Sequence, residues 1–375
     1  MKLECSCDIV VVGEGIVGAA VAHHLTRLGA TDVILVEAEP LPGAGSSGSS
    51  AGGLRQQFAE ECEIAYATEG VRQIRHLEAA TGRDADVRDT GYLLLASTEP
   101  TAARLRSEAE LQSRCGLHVD VLSPEELAAR FPLLRTEDLI LGNFCPTDGQ
   151  CDPAAILQGF LAAARERGAR TRERVEAREI LVTDGRVTAL RTSAGTIETD
   201  CVVVAAGARA KELAATAGVD LPLRACRRQI FQTAPLPGLD PDVPLTIDHD
   251  ADFYFRPESG GAILSAMEVE ETTTLDTSLD RAILPALAER AAHRVPMLAD
   301  AGIQSGWCGL RTLTPDDRAI LGPVRGVAGL MLACGLGGHG ITQGPAAGLT
   351  VAEWIVHGEV RTLPCEPYRL DRFLR

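Results

Sequence analysis

Positive charge is what this chain of 375 residues is short of: 36 Lys plus Arg stand against 52 Asp plus Glu, a formal net charge of -16. That balance repels nucleic-acid phosphates and anionic lipid headgroups, so neither is expected as a partner. No segment approaches the roughly 20 apolar residues of a membrane-spanning helix. Residues Met1 to Asp8 carry no basic region followed by an apolar stretch, so a cytoplasmic location is expected. Zinc-type cysteine spacing is missing as well. The 11 cysteines are scattered and odd in number, which disfavours a disulfide framework and favours reduced thiols. Cys5/Cys7 and Cys145/Cys151 have no second ligand pair at zinc-site spacing, and only eight His are available to complete one; no metal is expected. No Ser/His/Asp or Cys/His arrangement demands nucleophilic catalysis. What remains is ordinary globular composition, 45% hydrophobic and 23% charged, enough for two interleaved domains and a small-molecule partner.

The clearest positive signal is at the start. Asp8 to Val12 reads as a strand buried on both faces; Gly13-Glu-Gly15-Ile-Val-Gly18 follows, then a helix over Ala19 to Leu28 and a second strand, Asp32 to Val36, ending at Glu37. Strand, glycines, helix, strand and acid in this order form a βαβ nucleotide-binding unit. Two glycines let the chain turn tightly and approach a pyrophosphate, the third admits close helix packing, and Glu37 would accept ribose hydroxyls. Next comes Gly45-Ser-Ser-Gly-Ser-Ser-Ala-Gly-Gly53, running into Leu54 and Arg55. That composition suits a linker, but its place behind a nucleotide unit favours backbone passing close to a flat ligand.

Helical spacing covers Glu60 to Thr81 and Thr101 to Cys115, and Ser123 is a plausible N-cap. The loop Pro146 to Pro153 leads to a helix over Ala154 to Arg167. Glu176 to Val182, Arg186 to Thr192 and Gly195 to Thr199 read as a meander with Asp184-Gly185 as one turn, and Cys201 to Ala205 as a second buried strand. From about Leu221 to Arg290 the alternation of Arg228 to Thr233, Phe253 to Arg256 and Ala262 to Ala266 predicts an antiparallel sheet. There Tyr254 and Arg256 share a face: Tyr254 is either a pocket wall or a core tyrosine, and Arg256 is expected towards solvent. Leu330 to Cys334 is a short strand, followed by Gly335-Leu-Gly-Gly-His-Gly340 and a helix from about Pro345 to Ile355. The fold class is therefore α/β, a Rossmann-type domain from 1–90, 145–220 and 305–375, with a second, mostly antiparallel sheet domain of α+β character from 91–144 and 221–304.

Five motifs in order, Gly13-x-Gly15-x-x-Gly18 with Glu37, the Gly-Ser stretch ending at Arg55, Val204-Ala-Ala-Gly207, Trp307-Cys-Gly-Leu-Arg-Thr-Leu-Thr-Pro-Asp316 and Gly335-Leu-Gly-Gly-His-Gly340, span nearly the whole chain. In them the sequence resembles the D-amino acid oxidase superfamily, specifically its glycine oxidase and sarcosine oxidase branch. The resemblance implies FAD held against Gly13, Gly15, Ile16, Val17, Gly18, Glu37 and Ala38; against Gly45, Ser46, Ser47, Ser50, Ala51, Gly52, Gly53 and Leu54; against Val175, Ala206, Gly207, Gly309 and Arg311; and against Gly335, Gly337, Gly338, His339, Gly340, Ile341 and Thr342. It implies oxidation of a carbon bearing a primary or secondary amine by hydride transfer to flavin N5, giving an imine that hydrolyses, with Arg55, Arg311, His339 and Tyr254 as the candidate catalytic and substrate-binding residues.

By motif, Arg55 falls where sarcosine oxidase-like members place a carboxylate-binding arginine, and Arg311 where glycine oxidase-like members place theirs. A planar guanidinium fork suits a carboxylate because it makes two parallel hydrogen bonds and stays charged when partly desolvated. Three departures matter. Thr342 stands where sarcosine oxidases carry a lysine, and Gly309 where they carry the cysteine that links flavin covalently, with Cys308 one residue away. The Gly-Ser stretch also has no early histidine for attachment of the dimethylglycine dehydrogenase kind. A one-residue slip in a strand reverses the side chain's face, so noncovalent FAD is expected. His339, between two glycines, either touches flavin or substrate or packs in its loop. Three outcomes stay open: an oxidase using oxygen, a dehydrogenase subunit passing electrons to a quinone or partner protein, and a noncatalytic flavin-binding assembly protein. Oligomer formation is open too.

Overall fold

A computed structural model describes residues 6–266 and 273–374 of the chain; Cys5 lies outside them. The first strand, Ile9–Val12, is a run of Ile-Val-Val-Val buried on both sides. β-branched side chains suit that environment, and covering layers on both faces let a parallel sheet bury them all. The strand pairs in parallel with Cys201–Val204 on one side and with Val33–Val36 on the other. The complete six-stranded sheet runs Ile320–Pro323, Leu330–Cys334, Cys201–Val204, Ile9–Val12, Val33–Val36, Arg170–Arg172. Its strands are parallel except Ile320–Pro323, an antiparallel edge.

Alternation within these short strands decides which layer each residue feeds. Val11, Leu35 and Val203 point into a core shared with the helices Ile16–Arg27, Glu61–Thr81, Pro153–Glu166 and Gly340–His357. Val10, Val12, Ile34 and Val204 point the other way, onto Ile180, Val187, Leu190 and Ile197 of the three-stranded meander. Asp184 and Gly185 turn one of its hairpins, both at positive φ, +49° and +72°, as a tight two-residue loop requires.

Two helices press together over this sheet. Gly348 of the last helix sits where a Cβ would lie 2.7 Å from the Ala20 backbone of the first, and a Cβ on Gly344 would be 3.3 Å from Ile16. This close crossing brings both helix N-termini to the same region. The last helix begins at Gly340, five residues before the proline-based expectation, with Pro345 inside it. The glycine turn sets its start, because Gln343 N already donates to His339 O at 2.8 Å. The first helix likewise begins at Ile16, ahead of the expected Ala19.

The second sheet has eight strands in the order Ile303–Leu313, Arg224–Thr233, Gly261–Ala266, Phe253–Glu258, Leu245–Asp248, Tyr92–Ala96, Leu141–Cys145, Asp120–Leu122. It is antiparallel apart from Leu245–Asp248 against Tyr92–Ala96. Phe231, Phe253, Phe255 and Leu264 pack one face beneath Leu287 and Ala291 of the helix Leu284–Arg294. Its edge strand Ile303–Leu313, from sequence grouped above with the nucleotide part, pairs along Arg224–Thr233. Among the described residues, no helix is long and apolar enough to cross a membrane.

Candidate functional site

The glycines of the first turn are required by contact. Gly13 has φ +105°, and a Cβ there would sit 2.5 Å from Ala205 O; a Cβ on Gly18 would sit 1.9 Å from Gly13 O. The helix therefore settles onto the turn with Gly15 as its N-cap and no side-chain cap. Such a terminus offers backbone donors and the positive end of the helix dipole to an anion. Ser47 Oγ accepts from Ile16 N at 3.0 Å, tying the Gly-Ser stretch to this terminus. Glu37 is held rigidly at the end of the second strand, accepting from Glu14 N and Glu39 N, each at 2.9 Å. Beside it Glu14 is fully buried with neither oxygen hydrogen-bonded, and burial pushes its carboxyl up to about 8.

These features border a cavity of about 760 Å³, within the usual range for ligand sites. Of the expected cofactor residues, Gly13, Gly15, Ile16, Val17, Glu37, Ala38, Gly45, Ser46, Ser47, Val175, Ala206, Gly207, Gly309, Gly335, Gly337 and Gly340 line it. A cradle in which side chains would strike backbone, with helix amides at its centre and a fixed carboxylate at one end, fits a dinucleotide. Ser49, Arg178, Arg209, Thr277 and Thr312 also line the cavity and were not on that list. Ser49 could have been found from its place in the Gly-Ser run; Thr277 carries no sequence signal.

The other expected residues, Arg311 and His339 among them, are not part of the cavity lining. Gly18 is a packing position. Ser50 Oγ accepts from Gly52 N at 3.1 Å. Ala51 O accepts from Arg256 Nε at 2.7 Å, and Gly52 O from Cys151 N at 2.8 Å. Gly53 and Leu54 pair with Gln150 and Gly149. Ile341 is buried in the helical core. Arg256 corrects an expectation: it is buried, bracing Ala51, Gln150 and Glu258, because its strand is covered by the Gly-Ser stretch. On the edge strand, Ser46 Oγ donates to Leu310 O at 2.6 Å and Trp307 Nε1 to Ser49 O at 3.0 Å. Cys308 and Gly309 both reach the cavity wall. Alternation predicted opposite faces; here the strand meets the cavity at its rim, where backbone contributes beside side chains.

The arginines come together at the far side of the Gly-Ser stretch. Arg55 donates through one nitrogen to Gln57 O at 3.1 Å and through another pairs with His339 Nε2 at 2.9 Å. Its guanidinium lies 4.3 Å over the Phe58 ring, and His339 meets that ring edge-on at 4.8 Å. Burial, then Arg55 and Arg311, hold the His339 pKa well below the ordinary imidazole value. The imidazole is neutral at pH 7, with Nε2 accepting a hydrogen bond from Arg55. Thr342, at the position of the family's lysine, accepts from Arg55 N and donates to Gly53 O at 3.3 and 3.2 Å, so it acts on the backbone.

Arg311 rises from the edge strand opposite Cys226 and lies against Gly338, where a Cβ would be 2.7 Å from its Cζ. Among the described residues it has no hydrogen-bond or carboxylate partner. Burial first, then Arg228 and Arg55, lower its pKa to about 10, opposed by Tyr254 and Tyr92. Tyr254 packs with Tyr92 and Leu94 in a small apolar cluster, so it is both core and neighbour of the cations. Sequence reasoning missed Tyr92. Its hydroxyl occupies the space a Gly53 side chain would need, 1.8 Å from that Cβ position, a contact no spacing rule reveals. It also gave Asp148 no chemical role.

A family model described as "FAD dependent oxidoreductase" matches residues 8–354. Mitochondrial sarcosine dehydrogenase of Mus musculus is 32% identical over 372 residues, covering 95% of this chain and 40% of that protein; the chain thus spans about two fifths of that relative's length. Among solved structures, L-proline dehydrogenase from P. horikoshii is similar with a TM-score of 0.93 at 29% identity, covering 100% of this chain and 99% of the other. Glycine oxidase from Geobacillus kaustophilus gives 0.87 at 27%, covering 98% and 99%.

Proposed function

The chain belongs to the FAD-dependent oxidoreductase family, and from that premise we propose that it oxidises the C–N bond of a carboxylate-bearing amine of the glycine, sarcosine, proline or D-amino acid class. The observation that carries this is the Arg311 guanidinium beside the Arg55–His339 pair, with no hydrogen-bond or carboxylate partner among the described residues. A partly desolvated cation with no anion among the described residues invites a carboxylate, and the planar fork fixes its orientation.

Bound noncovalently in the cradle, FAD would supply the hydride acceptor. The protein's share is positioning. Arg311 takes the carboxylate, Arg55 adds a second positive charge, and Tyr254 with Tyr92 closes the apolar side. Held there as the neutral amine, the substrate loses hydride from its α-carbon, and the iminium ion left behind takes up water to release a carbonyl product and a protonated amine. Neutral His339 holds Arg55 by accepting a hydrogen bond from its guanidinium. No dedicated base is needed for a substrate that binds with a neutral amine.

A second reading concerns the acceptor: the likeness to L-proline dehydrogenase favours electron transfer to a quinone or partner protein over transfer to oxygen. One experiment tests both. Purified protein is mixed without oxygen with glycine, sarcosine, proline and D- and L-amino acids, and the flavin bands are followed. Bleaching by one class is the expected result, and rapid recolouring on admitting air assigns an oxidase, slow recolouring a dehydrogenase. A protein that stays colourless after incubation with FAD overturns the reading.

A further inference from the structure

We propose that Asp148 is a positioning residue that aims Arg55 towards the substrate carboxylate; this rests on the role given to Arg55 above as the second positive charge for that carboxylate. Asp148 lies in the loop between Leu141–Cys145 and Pro153–Glu166, and its side chain is completely buried. One carboxylate oxygen accepts from Gln56 N at 2.8 Å and from Gln56 Nε2 at 3.2 Å; the other accepts from Gln57 Nε2 at 3.1 Å. All its partners belong to the two residues directly after Arg55.

The consequence reaches the guanidinium by a short route. Gln57 O, fixed by this clamp, accepts from Arg55 at 3.1 Å, and the same guanidinium then meets His339. Gln57 Nε2 is further tied to Tyr92 O at 3.2 Å, and Gln56 Nε2 to Thr147 O at 3.1 Å. Thr342 pins the other flank of Arg55. The loop carrying Asp148 is itself immobilised: Asp148 O accepts from Gly91 N at 2.9 Å, and Gly149 is so close to the segment before Tyr92–Ala96 that a Cβ would lie 1.9 Å from Arg88 O.

Three donors converging on one group call for an acceptor-only side chain, which among polar residues means an ionised carboxylate. Asparagine would present an amide donor to at least one of these donors. Among the described residues the buried charge has no cation in contact, so its compensation is the three amide dipoles and Arg55 at a distance. Burial raises the Asp148 carboxyl to about 6, opposed by these hydrogen bonds and by Arg55. The ionised form is the clamp, so aim is lost as pH falls through about 6.

The other groups facing this cluster are Arg55, Tyr92 of the neighbouring strand, Cys145 of the preceding strand, Arg75 through Thr147 O, and Glu63 near Arg55. Tyr92 and Cys145 are shifted upwards and stay neutral between pH 5 and 7. Glu63 is raised to about 7, so a variant is needed to separate it.

The test compares wild type, Asp148→Asn, Arg55→Ala and the double variant as flavin-loaded proteins. Two quantities are read from pH 5 to 8: KM and kcat for an amine that bleaches the flavin, and the affinity for acetate from the shift of the flavin spectrum. Expected for Asp148→Asn at pH 8 is a roughly fivefold or greater rise in KM and in the acetate dissociation constant with kcat within about twofold. The wild-type weakening near pH 6 disappears in this variant. In the Arg55→Ala background Asp148→Asn adds nothing further, which a merely structural role would not produce. Unchanged KM, or full additivity, overturns the proposal while wild-type turnover leaves the function standing. If Asp148→Asn does not fold, wild type decides: acetate affinity that is flat across pH 5 to 7 overturns the proposal. A wild type that neither turns over an amine nor binds acetate overturns the function, and this inference with it.

Discussion

Arg311 shows how one residue type acquires a role from its surroundings. On the chain it is one of many arginines; in the fold it stands partly buried beside Arg55 and Arg228 and near two phenols, with no carboxylate partner among the described residues. Replacing it with lysine keeps the charge but removes the fork. The expected outcome is a KM for the carboxylate substrate raised roughly tenfold or more, with a smaller change in kcat, measured by steady-state kinetics. The sign of the pH effect follows from its depressed pKa. The charged form binds, so acetate affinity measured from the flavin spectrum should fall as pH rises through about 10, earlier than an ordinary guanidinium would allow. Arg311→Lys should not show that same midpoint. At this scale sequence motifs pointed to Arg55, Arg311, His339 and Tyr254, but the pairing of Arg55 with His339 and the clamp from Asp148 join residues far apart in the chain, and no local pattern encodes either.

Elements were more legible than side-chain partners. The buried strands Ile9–Val12 and Cys201–Val204 and the meander hairpin at Asp184-Gly185 follow from hydrophobic runs and turn residues, because those signals are local. The start of the last helix was not legible: proline marks a frequent first-turn residue, yet here the preceding glycine turn nucleates the helix at Gly340. That helix also carries a packing requirement that only the fold exposes. Gly348 lies against the Ala20 and Val21 backbone, so Gly348→Val must push the two helices apart. Overpacking of this kind costs about 2 kcal/mol or more. Thermal denaturation should show a lower Tm, and flavin retention on gel filtration should fall with it, since both helix N-termini border the cavity. A variant with unchanged Tm and full flavin content would show that the helices yield more easily than their contacts imply.

At the scale of the whole molecule, the cavity draws together residues from the first turn, the Gly-Ser stretch, the meander, the edge strand of the second sheet and the last glycine turn. Binding a ligand across so many segments stabilises the folded state by mass action. FAD at about 100 times its dissociation constant adds about 2.7 kcal/mol, which for a chain of this length raises Tm by about 3 °C. A melt of apo-protein with and without FAD checks this. Acid precipitation should release the flavin into the supernatant, leaving Cys308 unmodified by mass spectrometry; flavin that stays with the pellet would mean a covalent link. The net charge of -16 would by itself discourage an anionic substrate, and the local cluster of arginines is what reverses the field where it matters. Composition and motif order by themselves determined the α/β class, the nucleotide cradle and the family, because these depend on hydrophobic period, glycine conformational freedom and residues adjacent in sequence. Tertiary structure alone decided that Arg311 has no hydrogen-bond or carboxylate partner among the described residues, that Arg256 is buried, that Tyr92 abuts Gly53 and that Asp148 stands behind Arg55. Those facts depend on distances between segments that the chain brings together only when both sheets have formed.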